Sequence, residues 1–251
     1  MSLLRDMINR MARRSSVICR MHVARSGSKL FSANPQWARH AEDWYGSRQD
    51  GRSSLSDRRP WLTYPAIEWL GEIDWHGKQV FEWGGGGSTL YFLDSGASVT
   101  TVEHDRAWTE HLRLVAAADE QQSMDLRLIE PTETTGLKQE QEFTSSKPQY
   151  RNASFEQYVK AIDDFPDQTF DLILIDGRCR SECLQRAIAK VRRQGALMFD
   201  NVDRVIYQEA IANARSNELS TWTQHDLSGP TPYLWDPKST TLAWTRPAAT
   251  A

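Results

Sequence analysis

Val80-Phe-Glu-Trp-Gly-Gly-Gly-Gly-Ser-Thr-Leu90 decides how this chain of 251 residues reads. An apolar run ends in a carboxylate (Glu82), turns on Gly84, Gly85, Gly86 and Gly87, and restarts at Ser88 and Thr89. That pattern predicts a strand, a tight loop and a helix. Glycines in such a loop reach positive φ and bring backbone N–H groups close to a nucleotide-like ligand. Ser88 and Thr89 stand where a helix is capped. A second apolar run, Val99-Thr-Thr-Val-Glu103, ends in another acid 21 residues after Glu82. Doubly wound sheets place a ribose-binding carboxylate at about that distance.

Three ligands compete for the glycine loop. A Walker-type phosphate loop needs Lys after its last glycine, and Ser88 follows Gly87 here. A dinucleotide site needs G-x-G-x-x-G/A, and Thr89 stands in the last position. Glu82 argues against it further, because a carboxylate beside a pyrophosphate repels it. The same carboxylate suits a ligand with an amino group. At this point the chain resembles the class I S-adenosylmethionine (SAM)-dependent methyltransferases, whose first motif is an acid followed by G-x-G and whose second strand ends in an acid. Glu82, Gly84, Gly86 and Glu103 match that pattern. The resemblance implies that Gly84, Gly85, Gly86, Ser88 and Thr89 lie beside the methionine part of SAM, with Glu82 close by. It also implies that Glu103 accepts hydrogen bonds from the ribose hydroxyls, with His104 at the adenosine edge.

Length suits one α/β domain with an appendage. Formal net charge is −3, unevenly spread: residues 1–60 hold 12 Lys/Arg against 5 Asp/Glu, and the remainder 18 against 28. An acidic catalytic region argues against nucleic acid as a partner. Cys19, Cys179 and Cys183 form neither a metal-ligand pattern nor a paired framework, so a reducing cytoplasmic setting is expected. No run approaches the roughly 18 apolar residues of a membrane span. Leu3, Leu4, Met7, Ile8 and Met11 recur at helical spacing opposite Arg5, Arg10, Arg13 and Arg14. A transit peptide, a helix in peripheral contact with a membrane surface and a lightly packed N-terminal helix all share that pattern.

Residues 1–60 read as a basic N-terminal extension and linker, and 61–247 as the main domain, with polar residues 31–60 forming the linker. Helix is predicted over 66–70, then strands over 80–83, 99–103, 126–130, 170–175 and 196–199. Helices are expected at 89–93, 108–119, 155–162, 182–191 and 205–214. Two late strands, near 221–225 and 240–244, lack an intervening helix. Residues 131–153 form a polar loop long enough to suggest a function. Alternation of this kind predicts an α/β fold: a doubly wound, mostly parallel seven-stranded sheet with an N-terminal helical extension. The late pair resembles the antiparallel hairpin that ends the methyltransferase fold.

Ligands in such sheets bind beyond the carboxyl ends of the strands. Asp176-Gly-Arg-Cys-Arg180 follows the fourth strand and Asp200-Asn-Val-Asp-Arg204 the fifth. Asp176, Asp200 and Asn201 offer hard oxygen donors of the kind Mg²⁺ or another divalent metal selects. The arrangement is similar to the catechol-O-methyltransferase-like family, whose metal ligands are an Asp after strand 4 and an Asp-Asn after strand 5. Arg178, Cys179 and Arg180 stand where that family has a Lys base, and Arg does not readily act as one. Without metal, Asp176 caps a turn or serves, like Asp200, as a general base. Arg178, Arg180 and Arg204 either anchor an acidic substrate or pair with local acids.

Trp61 and Tyr64 are placed to close over SAM from the N-terminal side, and Trp83, Trp108, Tyr150 and Tyr158 are further aromatic candidates. The expected activity is SAM-dependent transfer of a methyl group to a small-molecule acceptor at oxygen, with Asp176 and Asp200 catalytic. An NAD(P)-dependent oxidoreductase and a non-catalytic partner of the same fold are the alternatives.

Overall fold

A computed structural model describes residues 16–116, 123–134, 143–233 and 238–248. The N-terminal part holds α1 (Ser16–Ala33), α2 (Ala41–Gly46) and α3 (Tyr64–Gly71). Next come β1 (Gln79–Trp83), α4 (Gly87–Asp94), β2 (Ser98–Glu103), α5 (Arg106–Val115) and β3 (Met124–Leu128). The second half consists of α6 (Glu156–Lys160), β4 (Phe170–Ile175), α7 (Arg180–Lys190), β5 (Val191–Asp200) and α8 (Val205–Ser216). It closes with β6 (Thr223–Asp226) and β7 (Thr241–Thr245).

These strands form one seven-stranded sheet in the order β3-β2-β1-β4-β5-β7-β6. Neighbours are parallel from β3 to β5, and β7 runs antiparallel to both β5 and β6. The doubly wound, mostly parallel α/β class is therefore as expected, including the antiparallel final strand.

Period-two alternation sends successive side chains to opposite faces. Phe81, Trp83, Ile173, Ile175, Leu197 and Phe199 face Tyr158, Leu184 and Ile211 from α6, α7 and α8. Val80, Leu172, Leu174 and Met198 face Ala66, Leu70 and Phe92 from α3 and α4. Burying both faces explains why β4 reads as an unbroken apolar run. Strand β3 begins two residues earlier than its apolar pattern suggested, and β5 is longer at its N-terminal end, where Val191 pairs with Phe170 across a register shift.

Residues 31–60 are not a free linker. Pro35–His40 forms a 3₁₀ turn that runs into α2, and Trp44 is buried against Leu30 and Tyr64. The Arg48 guanidinium stacks 3.4 Å from the Trp44 ring centre and donates to the Thr231 carbonyl. Leu55 joins Leu90 and Leu112. A few large apolar residues in a polar stretch suffice to dock it. Within the long loop, Thr132–Glu133 pairs antiparallel with Ala153–Ser154. The amphipathic pattern of residues 3–14 and the end of the helix expected at 108–119 lie outside the described residues. Among those described, no helix is long and apolar enough to cross a membrane.

Candidate functional site

The sheet order reverses between β1 and β4, so the loops after these two strands part to leave a crevice. Gly84 follows β1 with φ +92, a left-handed conformation that costs other residues steric strain. Its Cα faces Gly177 after β4: a Cβ on Gly84 would lie 3.0 Å from the Gly177 backbone. Trp83 accepts a hydrogen bond from the Asp176 N–H at 3.1 Å, locking the two strand ends together. A cleft of about 630 Å³ opens above this junction.

Gly84, Gly85, Glu103, His104, Asp176, Asp200 and Asn201 line the cleft, as the sequence suggested. Trp61, Trp108 and Tyr150 line it too. Glu103 ends β2 and is buried, with Oε1 accepting from the N–H groups of His104 (2.6 Å) and Asp105 (3.0 Å). Oε2 accepts from the Gly85 N–H at 3.3 Å. A carboxylate offers about four lone-pair sites, so acceptor capacity remains for a ligand hydroxyl. The Trp108 indole N–H donates to the Gly85 carbonyl at 2.7 Å, which fixes an aromatic wall beside Glu103. His104 Nδ1 lies 2.6 Å from Glu103 Oε1 without hydrogen-bond geometry, and its Nε2 accepts from Arg178 at 3.3 Å.

Glu82, Ser88 and Thr89 do not reach the cleft, contrary to expectation. On β1, Glu82 shares its face with Val80 and points under α4, completely buried. Its carboxyl accepts from Ser88 Oγ (2.7 Å), Thr101 Oγ1 (2.7 Å) and Thr89 Oγ1. Thr89 Oγ1 in turn accepts the Gly86 N–H at 3.0 Å. Burial raises the Glu82 pKa to about 7, against the three hydroxyl donors that lower it. The residue anchors the glycine loop from behind. Gly86 is outside the cleft lining, and Tyr64 lies elsewhere, stacked 5.2 Å from His40 and packed with Trp44. Trp83 and Tyr158 are core residues.

The N–H groups of Gly84, Gly85 and Gly86 are spent internally: Gly84 donates to Val102 at 2.9 Å, Gly85 to Glu103 and Gly86 to Thr89. Phosphate loops work by aiming such groups at the ligand. This one instead offers bare backbone against which a ligand can lie.

At the other side, Arg180 is buried at the start of α7 and four of its five N–H donors are used. Nε donates to the Gly177 carbonyl (3.1 Å), Nη1 to that of Asp200 (2.6 Å), and Nη2 to the Asp176 carbonyl (2.8 Å) and Oδ1 (2.7 Å). Nη1 also stands 3.8 Å from Asp200 Oδ2. Asp200 Oδ1 accepts from Thr241 (2.7 Å) and Oδ2 from the Asn201 amide (2.6 Å). The expected divalent-metal site at Asp176, Asp200 and Asn201 does not fit this arrangement. A guanidinium already occupies the space between the carboxylates, and a metal beside it would face like charge. Asn201 presents its amide N–H to Asp200 and Ser239 rather than an oxygen to a cation. Among the described residues no group of three or more His, Cys, Asp or Glu is arranged to hold a metal.

Burial raises Asp176 to about 7 even though Arg180 opposes it, with Asp200 adding to the rise. Burial raises Asp200 as well, opposed by Arg180 and the Thr241 hydrogen bond. Cys179 (φ 48) and Asn201 (φ 56) take left-handed backbone beside these acids, and such strain concentrates where side chains are aimed for function. Asp105, Gln149, Asp203 and Ser239 also line the cleft. Asp105 and Asp203 lie in the same loops as Glu103 and Asp200, whereas no local pattern marks Gln149 and Ser239, which loops from distant parts of the chain deliver.

Gly177 cannot carry a side chain, because a Cβ there would fall 1.9 Å from the buried Tyr158 hydroxyl and 3.0 Å from the Trp83 carbonyl. Gly177→Ala is expected to lower unfolding stability by about 1–3 kcal/mol, read from urea denaturation. A variant as stable as the parent would show that the β4–α7 turn tolerates movement.

No protein-family model matches the chain, and no curated protein matches its sequence. Several solved structures are similar to it. A methyltransferase-like protein from Silicibacter pomeroyi is 21% identical, covers 77% of this chain and 92% of its own, and superposes with a TM-score of 0.46. A cofactor-bound protein from MTB is 14% identical over 78% of this chain and 87% of its own, with a TM-score of 0.49. A predicted O-methyltransferase from Agrobacterium tumefaciens is 16% identical over 71% and 79%, with a TM-score of 0.41.

Proposed function

We propose that this chain is a class I SAM-dependent methyltransferase that acts on an oxygen atom of a small-molecule acceptor. One observation carries the reading: the glycine loop, Glu103 and Asp176 meet in a single cleft at the point where the strand order reverses. Glu103 suits a ribose hydroxyl, and Trp108 and Trp61 supply aromatic walls for a purine. Loop N–H groups committed to protein acceptors argue against a dinucleotide, whose pyrophosphate needs them.

SAM supplies a methyl group on a sulfonium that departs as a neutral thioether. The protein's own part is to position, desolvate and deprotonate. Asp176 is assigned as the base that accepts the acceptor's hydroxyl proton. Its side chain is 29% exposed and lines the cleft, whereas that of Asp200 is 5% exposed and accepts from Thr241 and Asn201. A carboxyl near 7 matches a base working at neutral pH. Arg180 holds Asp176 in place and stays charged throughout.

Calorimetric titration with S-adenosylhomocysteine (SAH), with Mg²⁺ and after chelation, tests the assignment against NAD⁺ and NADP⁺. SAH is expected to bind with the same affinity under both conditions; nicotinamide binding without SAH binding would reverse the assignment. Glu103→Ala is expected to weaken SAH binding by about 1–3 kcal/mol, the cost of charged hydrogen bonds. An unchanged affinity would remove Glu103 from the cofactor site.

A further inference from the structure

A smaller recess of about 170 Å³ adjoins the cleft and shares Gly177, Arg178, Arg180 and Arg204 with it. Its walls come from the segment Thr144–Lys147, the β4–α7 turn and the first turn of α8. Arg180 is neutralised by Asp176 and Asp200, so it does not set the recess's charge. Arg178, Arg204 and Lys147 do. Among the described residues none of the three has a carboxylate within ion-pair distance: the Arg178 side chain donates to His104 Nε2 at 3.3 Å and lies 5.8 Å from the face of Tyr150. Among the described residues, Glu182 is the single acid on the wall. The hydroxyls of Ser145, Ser146 and Ser181 complete the lining.

Three cations against the single wall carboxylate of Glu182, with Arg204 also in electrostatic reach of Asp176 and Asp200, leave the recess net positive, and an oxyanion would offset that charge. Guanidinium forks and hydroxyls are the donors that carboxylate and phosphate oxygens accept from, and charge-assisted bonds of this kind are the strong ones. At about 30 Å³ per water, the recess has room for a compact oxyanion and little else. The rest of such a molecule must extend through the shared wall into the cleft, toward Asp176.

We propose that the methyl acceptor carries an oxyanion, a carboxylate or a phosphate ester, which docks against Arg178, Arg204 and Lys147. The acceptor assignment rests on the methyl-transfer reading of the cleft; the anion site does not.

The probes are inorganic phosphate and, separately, acetate, each titrated at ionic strength held constant with chloride while thermal unfolding is followed. A saturable rise in Tm with either is expected, because a ligand that binds only the folded state stabilises it. Saturation by phosphate points to a phosphate-bearing acceptor, and saturation by acetate alone to a carboxylate-bearing one. In Arg178→Gln/Arg204→Gln the half-saturating concentration should rise at least about tenfold, and in the surface control Arg151→Gln it should not. No response beyond chloride, or an equal response in the double variant, would overturn the site. SAH titration of the same samples separates the two ideas. SAH binding without a phosphate or acetate response sinks the recess alone; an anion response without SAH binding keeps the recess and sinks methyl transfer, taking the acceptor assignment with it.

Discussion

Asp176→Asn is expected to slow acceptor-dependent release of SAH by about 10²–10⁴-fold while SAH affinity stays within a few-fold of the parent. Asparagine keeps an oxygen for Arg180, which donates to Asp176 Oδ1 at 2.7 Å, so the turn should hold its shape while the base is lost. The pH profile separates this role from a structural one. Burial places the Asp176 carboxyl at about 7, so the parent's rate should climb as pH rises through that value and the base loses its proton. The variant should lack that limb. Equal rates, or an unchanged limb in the variant, would move the base elsewhere, with Asp200 next in line.

Glu82→Gln should produce the largest change in stability against pH. In the unfolded chain this carboxyl titrates near 4.5; in the fold, burial beneath α4 raises it to about 7. The folded state therefore prefers the protonated form. Glu82's contribution is fully present below about pH 4.5 and is lost as pH rises through 7, by about 3 kcal/mol in all. Glutamine is neutral at every pH and can still meet the hydroxyls of Ser88, Thr89 and Thr101. Subtracting the parent's urea-denaturation stabilities from the variant's should give a curve that climbs toward alkaline pH. A flat difference would mean that Glu82 titrates as an ordinary carboxylate. Charge aimed at a ligand predicts something else: a loss of SAH affinity in Glu82→Gln with little movement in the stability curve.

The sheet was legible because both its faces are covered. Runs such as Phe170–Ile175 have to be apolar throughout, and the helices between them announce parallel crossovers. The cleft was legible where its lining sits at strand ends, as at Glu103, Asp176 and Asp200. Glu82 misled because its side of β1 is not deducible from the residue type. Alternation pairs it with Val80 on the α4 face, where Ser88, Thr89 and Thr101 wait with hydroxyls. Those same hydroxyls read as caps and cofactor contacts when only spacing is considered. Tyr64 misled for a similar reason: Trp44, 20 residues earlier in a polar stretch, packs against it. Trp61, three residues earlier, does reach the cleft. Gln149 and Ser239 arrive from segments separated by most of the domain, and nothing in their neighbours marks them.

Arg180 has a consequence for how such a protein depends on its surroundings. A metal ion is borrowed from the medium, and its occupancy follows supply, competition and acidity. A guanidinium is inherited: every copy carries it at full occupancy, and no physiological acidity discharges it. The charge that Arg180 places at this end of the cleft is thus independent of mineral supply and is lost only by mutation. That permanence also caps the charge at one rather than two, and because Asp176 and Asp200 already neutralise it, the anionic acceptor proposed above would find its counter-charge in Arg178, Arg204 and Lys147 instead.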